Sequence, residues 1–305
     1  MAKNLTWLIF PDNKPPRHLN LLPLSASSFK NPPAQDFKIC WLGHSSLIME
    51  FSGTRFAMDP VFKNASPFPG IVRRYGPSPL SREDLPPLDY LIISHDHYDH
   101  LERSTIRYLI HAQPQLKFVT CLGVGGHLRR WGVPGERIVE LNWGEDFCAG
   151  TVKIYCVPSR HFSGRFFNTR CQTLWGAFVL ESGHRRIFLG ADGGYGTHFK
   201  ALGKRFAGGF DLALFEIDAW SEKWRQIHMT PEEAVLAGTE LGARCIMPIH
   251  WATFYLAQHP WTESIERFLS AATARGVTVA FPRIGEIMSL GEAFPQNFWW
   301  REIKK

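Results

Sequence analysis

Read for hydrophobic and polar spacing, the chain alternates short apolar runs, bounded by turn residues, with stretches that repeat apolar positions every three to four residues. Runs over 37–42, 46–51 and 55–58 predict three strands, the latter two joined at Ser52 and Gly53 as a hairpin. Further strands are expected over 90–93, 117–120, 152–157, 177–181, 186–189, 212–217, 245–249 and 277–281. Helical spacing marks 104–112, 231–241 with Thr230 as its N-cap, and 264–274. Gly123, Gly125 and Gly126 match neither common phosphate-loop spacing and read as a turn before a basic helix over 127–131. Strands interleaved with helices make the chain α/β or α+β, with no solenoid period.

Pro11, Pro15, Pro16, Pro23, Pro32 and Pro33 interrupt the first stretch, which predicts an extended arm over 1–36 packed on one domain over 37–305. A chain of 305 residues, 45% hydrophobic, is long and apolar enough for a substantial core. Its longest early apolar stretch, 5–10, is far too short for a membrane span and lacks a small-residue cleavage site, so a cytoplasmic protein is expected. Cys40, Cys121, Cys148, Cys156, Cys171 and Cys245 form no CxxC pair and read as reduced thiols rather than a disulfide frame or zinc knuckle. The net charge of +6 suits an anionic substrate or a phospholipid surface, but no basic track interleaved with aromatics marks a nucleic-acid partner.

Chemistry gathers at the ends of predicted strands. The run 90–93 leads to His95, Asp96, His97, Tyr98, Asp99 and His100; 152–157 leads to His161; 186–189 leads to Asp192; and 245–249 leads to His250. Loops that leave different strands at one edge of a sheet converge there, so this is an active-site rim. In an extended segment His95 and His97 project to the same side and can share one metal. Asp99 and His100 face elsewhere and can hold a second ion, about 3.5 to 4 Å away in two-metal hydrolases.

These residues carry a resemblance to the metallo-β-lactamase superfamily, and within it to the N-acyl-phosphatidylethanolamine-hydrolysing phospholipase D branch. Its motifs extend over 37–281: Trp41-Leu-Gly-His-Ser-Ser46, Met58-Asp-Pro60, Leu85-Pro-Pro-Leu-Asp89, Ile93-Ser-His-Asp-His-Tyr-Asp-His-Leu101, Pro158-Ser-Arg-His161, Thr173-Leu-Trp-Gly176, His228-Met-Thr-Pro-Glu-Glu-Ala234 and Ile249-His-Trp-Ala-Thr-Phe254. The resemblance implies a four-layer αββα sandwich with two metals at one edge. One ion would take His95, His97 and His161, the other Asp99, His100 and His250, with Asp192 bridging. The family points to zinc, and manganese or iron also suits these nitrogen and oxygen ligands. Such ions lower the pKa of water toward neutrality and stabilise a developing oxyanion.

Asp99 is expected to orient the attacking water as well as bind metal. His228 falls in the segment resembling the family's substrate-binding stretch, implying a hydrogen bond to a phosphate oxygen or help to the leaving group; a histidine merely adjacent to the Thr230 cap is the plainer reading. His44 and Asp59 read as groups that orient ligands, or as a satisfied polar pair. Tyr195, Trp220, Trp224 and Phe254 line an acyl pocket or pack in the core. Arg165, with Arg160 and Arg170, offers guanidinium to an anionic head group. The aromatic and lysine-bearing tail 298–305 suits either peripheral membrane contact or docking on the domain.

Two departures from the branch stand out: Gly193 where the family carries threonine after the ligand aspartate, and Asp218 where it carries glycine. An added carboxylate beside the substrate channel would disfavour phosphate. Phosphodiester hydrolysis of a phospholipid-like or small-molecule substrate is therefore set beside lactone or ester hydrolysis of the related ascorbate-6-phosphate lactonase type. A nuclease would need the missing basic track. A scaffold that had lost chemistry would have lost ligands, and all seven are present.

Overall fold

The structure, a computed structural model, describes residues 33–303 apart from 69 and 167, together with 14, 16, 19 and 21–29. Strands β1 (Lys38–Trp41), β2 (Leu47–Phe51), β3 (Thr54–Met58), β4 (Tyr90–Ile93), β5 (Lys117–Cys121) and β6 (Ile138–Leu141) build one sheet. A second contains β7 (Asp146–Ala149), β8 (Val152–Val157), β9 (Ala177–Ser182), β10 (Arg185–Leu189), β11 (Leu212–Glu216) and β12 (Ile246–Ile249). The late strand β13 (Ile287–Ser289) returns to pair with β1, so the first sheet runs β13-β1-β2-β3-β4-β5-β6 and the second β12-β11-β10-β9-β8-β7.

Each sheet is antiparallel at one end and parallel at the other. β1 to β3 pair antiparallel and β3 to β6 parallel; β7 to β10 pair antiparallel and β10 to β12 parallel. Parallel neighbours need crossovers. Helices α1 (Arg103–Ala112), α2 (Gly125–Arg130), α3 (His198–Arg205) and α4 (Pro231–Leu241) occupy four of them, the β3–β4 crossover carries a 3-10 turn at Arg82–Asp84, and α5 (Glu263–Arg275) follows β12. The result is the expected four-layer sandwich. All five residues of β2 and of β11 are buried, as strands covered on both faces require. The sheets meet across the core, where the Cys121 and Cys156 sulfurs, from β5 and β8, lie 3.7 Å apart as free thiols.

The β2–β3 turn explains the expected hairpin. Ser52 and Gly53 both take positive φ, 49° and 77°, as a two-residue turn matching strand twist requires. The capping box of α4 is complete: Thr230 Oγ accepts from the Glu233 N–H, and the Glu233 carboxylate accepts from the Thr230 N–H.

Three expectations need correction. The run 277–281 forms no strand; it touches β12 at Val279 and turns away at Phe281 to bridge Gln296, just before Pro282, which has no N–H to continue a ladder. Strands β6, β7 and β13 were not foreseen, because they are short and carry little alternation. Helix α3 was also missed: Gly203 weakens its helical signal, yet a Cβ there would lie 2.2 Å from the Glu240 carbonyl of α4, so the glycine permits close helix packing.

Of the arm expected over 1–36, residues 1–13 lie outside the described residues. Its described parts bury Leu19 and Phe29, make a 3-10 turn at Ala26–Phe29, and bond from Leu22 N to Ile284 O and Leu24 N to Pro79 O. In the tail, Trp299 and Trp300 are buried against Trp251, the rings of Trp251 and Trp299 stacking at 5.2 Å; Lys304 and Lys305 lie outside the described residues. Among the described helices, none is long and apolar enough to cross a membrane.

Thr230→Ala should lower unfolding free energy by about 1 kcal/mol, with Thr230→Ser close to the parent. Urea denaturation followed by circular dichroism checks this, and equal stability of the alanine variant would show that the cap does not hold α4.

Candidate metal centre

Fold topology brings the strand ends together. The loop 94–101 leaves β4, His161 follows β8, Asp192 follows β10, and His250 follows β12. His44 lies in the β1–β2 turn and Asp59 just after β3. His44, Asp59 and His250 all take positive φ, 52°, 41° and 65°, a backbone cost that concentrates where side chains must be aimed.

Asp192 divides the ligands into two sets. Its Oδ2 lies 4.0 Å from His95 Nε2 and 3.7 Å from His161 Nε2, while its Oδ1 lies 3.2 Å from His100 Nε2 and 3.1 Å from His250 Nε2. On the first side His97 Nδ1 approaches His95 Nε2 at 2.9 Å and His161 Nε2 at 3.3 Å. On the second, Asp99 Oδ2 is 3.5 Å from His100 Nε2 and 3.6 Å from His250 Nε2. The seven residues read from the sequence are thus brought together as two clusters on either side of Asp192.

The donor chemistry fits divalent cations. Asp192 Oδ1, His100 Nε2 and His250 Nε2 are buried and find no partner in hydrogen-bond geometry, although they crowd within 3.2 Å. Orphaned buried polar atoms are costly, and atoms converging on a common point rather than on one another suit an ion. Burial alone would favour neutral rings, yet Asp192 beside them pushes His250 up to about 10 and holds His100 well above the ordinary histidine range.

Surrounding groups fix the rings. Asp59 Oδ2 accepts from His100 Nδ1 at 2.8 Å and from Ser94 Oγ, while Asp59 Oδ1 accepts from Ser94 N. Ser94 Oγ also lies 3.0 Å from His95 Nδ1, and His161 Nδ1 donates to the Ile227 carbonyl at 2.8 Å. Burial pushes His44 down to about 3, leaving a neutral ring whose Nε2–H donates to Asp99 Oδ2 at 3.0 Å. Such partners set tautomer and orientation in metal sites.

Of the proposed substrate contacts, Phe254 reaches the centre by packing its ring edgewise on His44, centroids 4.9 Å apart. Tyr195 instead donates its hydroxyl to Glu240; Trp220 is buried, bonded to Ser264 and stacked on His259; and Trp224 donates to the Ala219 carbonyl. Arg165 Nη1 donates to the Asp96 and Leu101 carbonyls, at the two ends of the histidine loop, and its guanidinium lies over Tyr98. It thereby braces that loop.

The Asp218 carboxylate is turned to its protein neighbours. It is buried, accepts from Ser264 Oγ at 2.8 Å and lies 3.2 Å from His259 Nε2. Gly193 is explained by space, because a Cβ there would meet Ser159 Oγ at 2.3 Å; that hydroxyl donates to the Asp192 carbonyl.

His228 sits beside both groups, its ring 5.0 Å from that of His161 and 5.7 Å from that of His250. Its Nδ1 bonds Glu216, a buried carboxylate that the apolar strand pattern concealed. Asp96 was also missed as a brace; it accepts from Gly164 N and pairs with His127 Nε2. The signal available for Glu216 was an acid ending an otherwise apolar run at the edge where neighbouring strands deliver ligands.

Divalent ions compete with protons for these nitrogens, so metal uptake should release protons and weaken as pH falls. Adding zinc to metal-free protein in weak buffer should acidify it, and uptake without proton release would contradict the ligand set. Asp59→Asn should lower metal affinity about 10–100-fold, measured by competition with a chromophoric chelator. Unchanged affinity would show that the His100 ring is held without it.

The comparisons agree with this architecture. The family model for the beta-lactamase superfamily domain matches residues 54–251. Uncharacterized protein Rv0906 of Mycobacterium tuberculosis is 39% identical over 302 residues, covering 97% of this chain and 80% of that protein. The N-acyl-phosphatidylethanolamine-hydrolyzing phospholipase D 1 of Caenorhabditis elegans is 33% identical over 226 residues, 70% of this chain and 63% of the relative. In fold, the chain is similar to Igni18, a metallo hydrolase from Ignicoccus hospitalis, with a TM-score of 0.63 and 20% identity, covering 83% of this chain and 98% of that one. With its strand-end histidines and aspartates in place and most of its length matched, the chain belongs to the beta-lactamase superfamily.

Proposed function

We propose that the chain is a metal-dependent hydrolase acting on phosphodiesters of the N-acyl-phosphatidylethanolamine type. The observation that carries the reading is the division of seven ligands by the two oxygens of one buried aspartate. Such a centre takes two divalent ions, zinc by family, which supply Lewis acidity and lower the pKa of water toward neutrality.

The residues around it divide the remaining work. Asp99, fixed by His44, presents a carboxylate oxygen that can both bind metal and accept a proton-bearing water. His228, beside both ligand sets and partly exposed, can meet a substrate oxygen through Nε2, donating to it when the ring is protonated on Nε2 as well as on Nδ1. The rings stay in place because their far nitrogens are occupied. Similarity to the Caenorhabditis elegans phospholipase D supports a phosphodiester, and the Asp218 carboxylate, buried against Ser264 and His259, is turned to protein partners.

The test is turnover by metal-loaded protein of an N-acyl-phosphatidylethanolamine and of a panel of lactones. Release of the N-acylethanolamine is expected, and His97→Ala should reduce kcat by more than about 100-fold, beyond the loss typical of a group that only orients a ligand. Hydrolysis of lactones without the phospholipid would replace the phosphodiester reading with a lactonase one. Activity indifferent to His97 would overturn both.

A further inference from the structure

Glu216 belongs to neither ligand set read from the sequence, yet it lies inside the centre. It ends β11, is 1% exposed, and accepts from two donors. Its Oε2 lies 2.6 Å from His228 Nδ1, its Oε1 accepts from Gly193 N at 2.6 Å, and His250 Nδ1 lies 3.9 Å from Oε2. Gly193 follows Asp192, so one side chain links the histidine ahead of α4 to the backbone beside the dividing aspartate. A buried carboxylate persists in a strand only when its oxygens are paired, and here both are.

The nitrogen that an imidazole presents is set by the bond its other nitrogen makes. With Nδ1–H donated to Glu216, His228 is left with Nε2, which has no hydrogen-bond partner among the described residues. The ring lies against His161 and His250, one from each ligand set. We propose that Glu216 is a positioning residue for hydrolysis, holding His228 so that Nε2 faces the reacting oxygen of the substrate.

This inference rests on the hydrolase reading above and adds the device that orients His228. Glutamine cannot replace the carboxylate. It has one acceptor oxygen for two donors, Gly193 N–H and His228 Nδ1–H, so its amide must face one of them. The ring then loses its fixed tautomer or the Asp192 loop loses its tether.

Glu216→Gln, His228→Ala and the double variant, made in the full chain, are compared for metal content and for kcat and KM on the N-acyl-phosphatidylethanolamine and on bis(p-nitrophenyl) phosphate. Each single change should lower kcat by about 10²–10³ with KM within about threefold, and the double should be no slower than His228→Ala, as for residues acting as a unit. Losses that multiply in the double variant, a Glu216→Gln kcat within about threefold of the parent, or loss of metal in that variant would overturn the proposal.

A second readout does not need turnover. Nitrogen-15 NMR of histidine-labelled protein should show His228 protonated on Nδ1, its signal assigned by loss in His228→Gln, and that proton should be lost or shifted in Glu216→Gln. His228 carrying its proton on Nε2 alone in the parent would refute the orientation. If the parent hydrolyses neither substrate, the phosphodiesterase reading fails while the NMR result still decides the role of Glu216.

Discussion

Asp192 sets the electrostatic problem that the rest of the molecule answers. Its carboxylate is buried, with imidazoles on both sides and the acids Asp99 and Glu216 nearby. An interior of low dielectric tolerates such a concentration of negative charge only when cations or strong donors meet it. The histidines from three other strand ends are arranged as that compensation, and their orphaned nitrogens leave room for divalent ions between them and the carboxylate. Even the small residue at Gly193 follows from this, because the space beside the aspartate is filled by Ser159.

Around the ligands runs a layer whose purpose is rigidity. The guanidinium of Arg165 joins the two ends of the histidine loop, Asp96 ties that loop to Gly164 and His127, and Asp59 with Ser94 fixes the rings of His100 and His95. On the far side Phe254 backs His44, and the Arg74 guanidinium lies 6.0 Å over the Phe254 ring while donating to the Leu42 and Val61 carbonyls. Two β-sheets supply a stiff base for these loops. Preorganisation of this kind is what gives a polar site its strength.

Much of this was legible because ligand residues must leave the apolar pattern. Histidines at 95, 97 and 100 interrupt a strand-to-helix connection, and His161, Asp192 and His250 each follow a run whose last residues are apolar and buried. The edge they share came from periodicity alone. Glu216 escaped because, although it ends β11, the apolar run continues past it: a single acid is averaged away by LALF before it and isoleucine after it. Asp218 was visible but its direction was not: only the fold brings Ser264 and His259 against it. Arg165 looked like a free cation for the same reason, since its acceptors are backbone carbonyls, which carry no mark in a sequence. Helix α3 and the short strands were hidden by weak local signals that tertiary packing overrides.

Metal stoichiometry tests the central claim most directly. Inductively coupled plasma mass spectrometry of the reconstituted, desalted protein should find two divalent ions per chain, because Asp192 faces a complete donor set on each side. One ion per chain, or none, would contradict a centre built on that bridge.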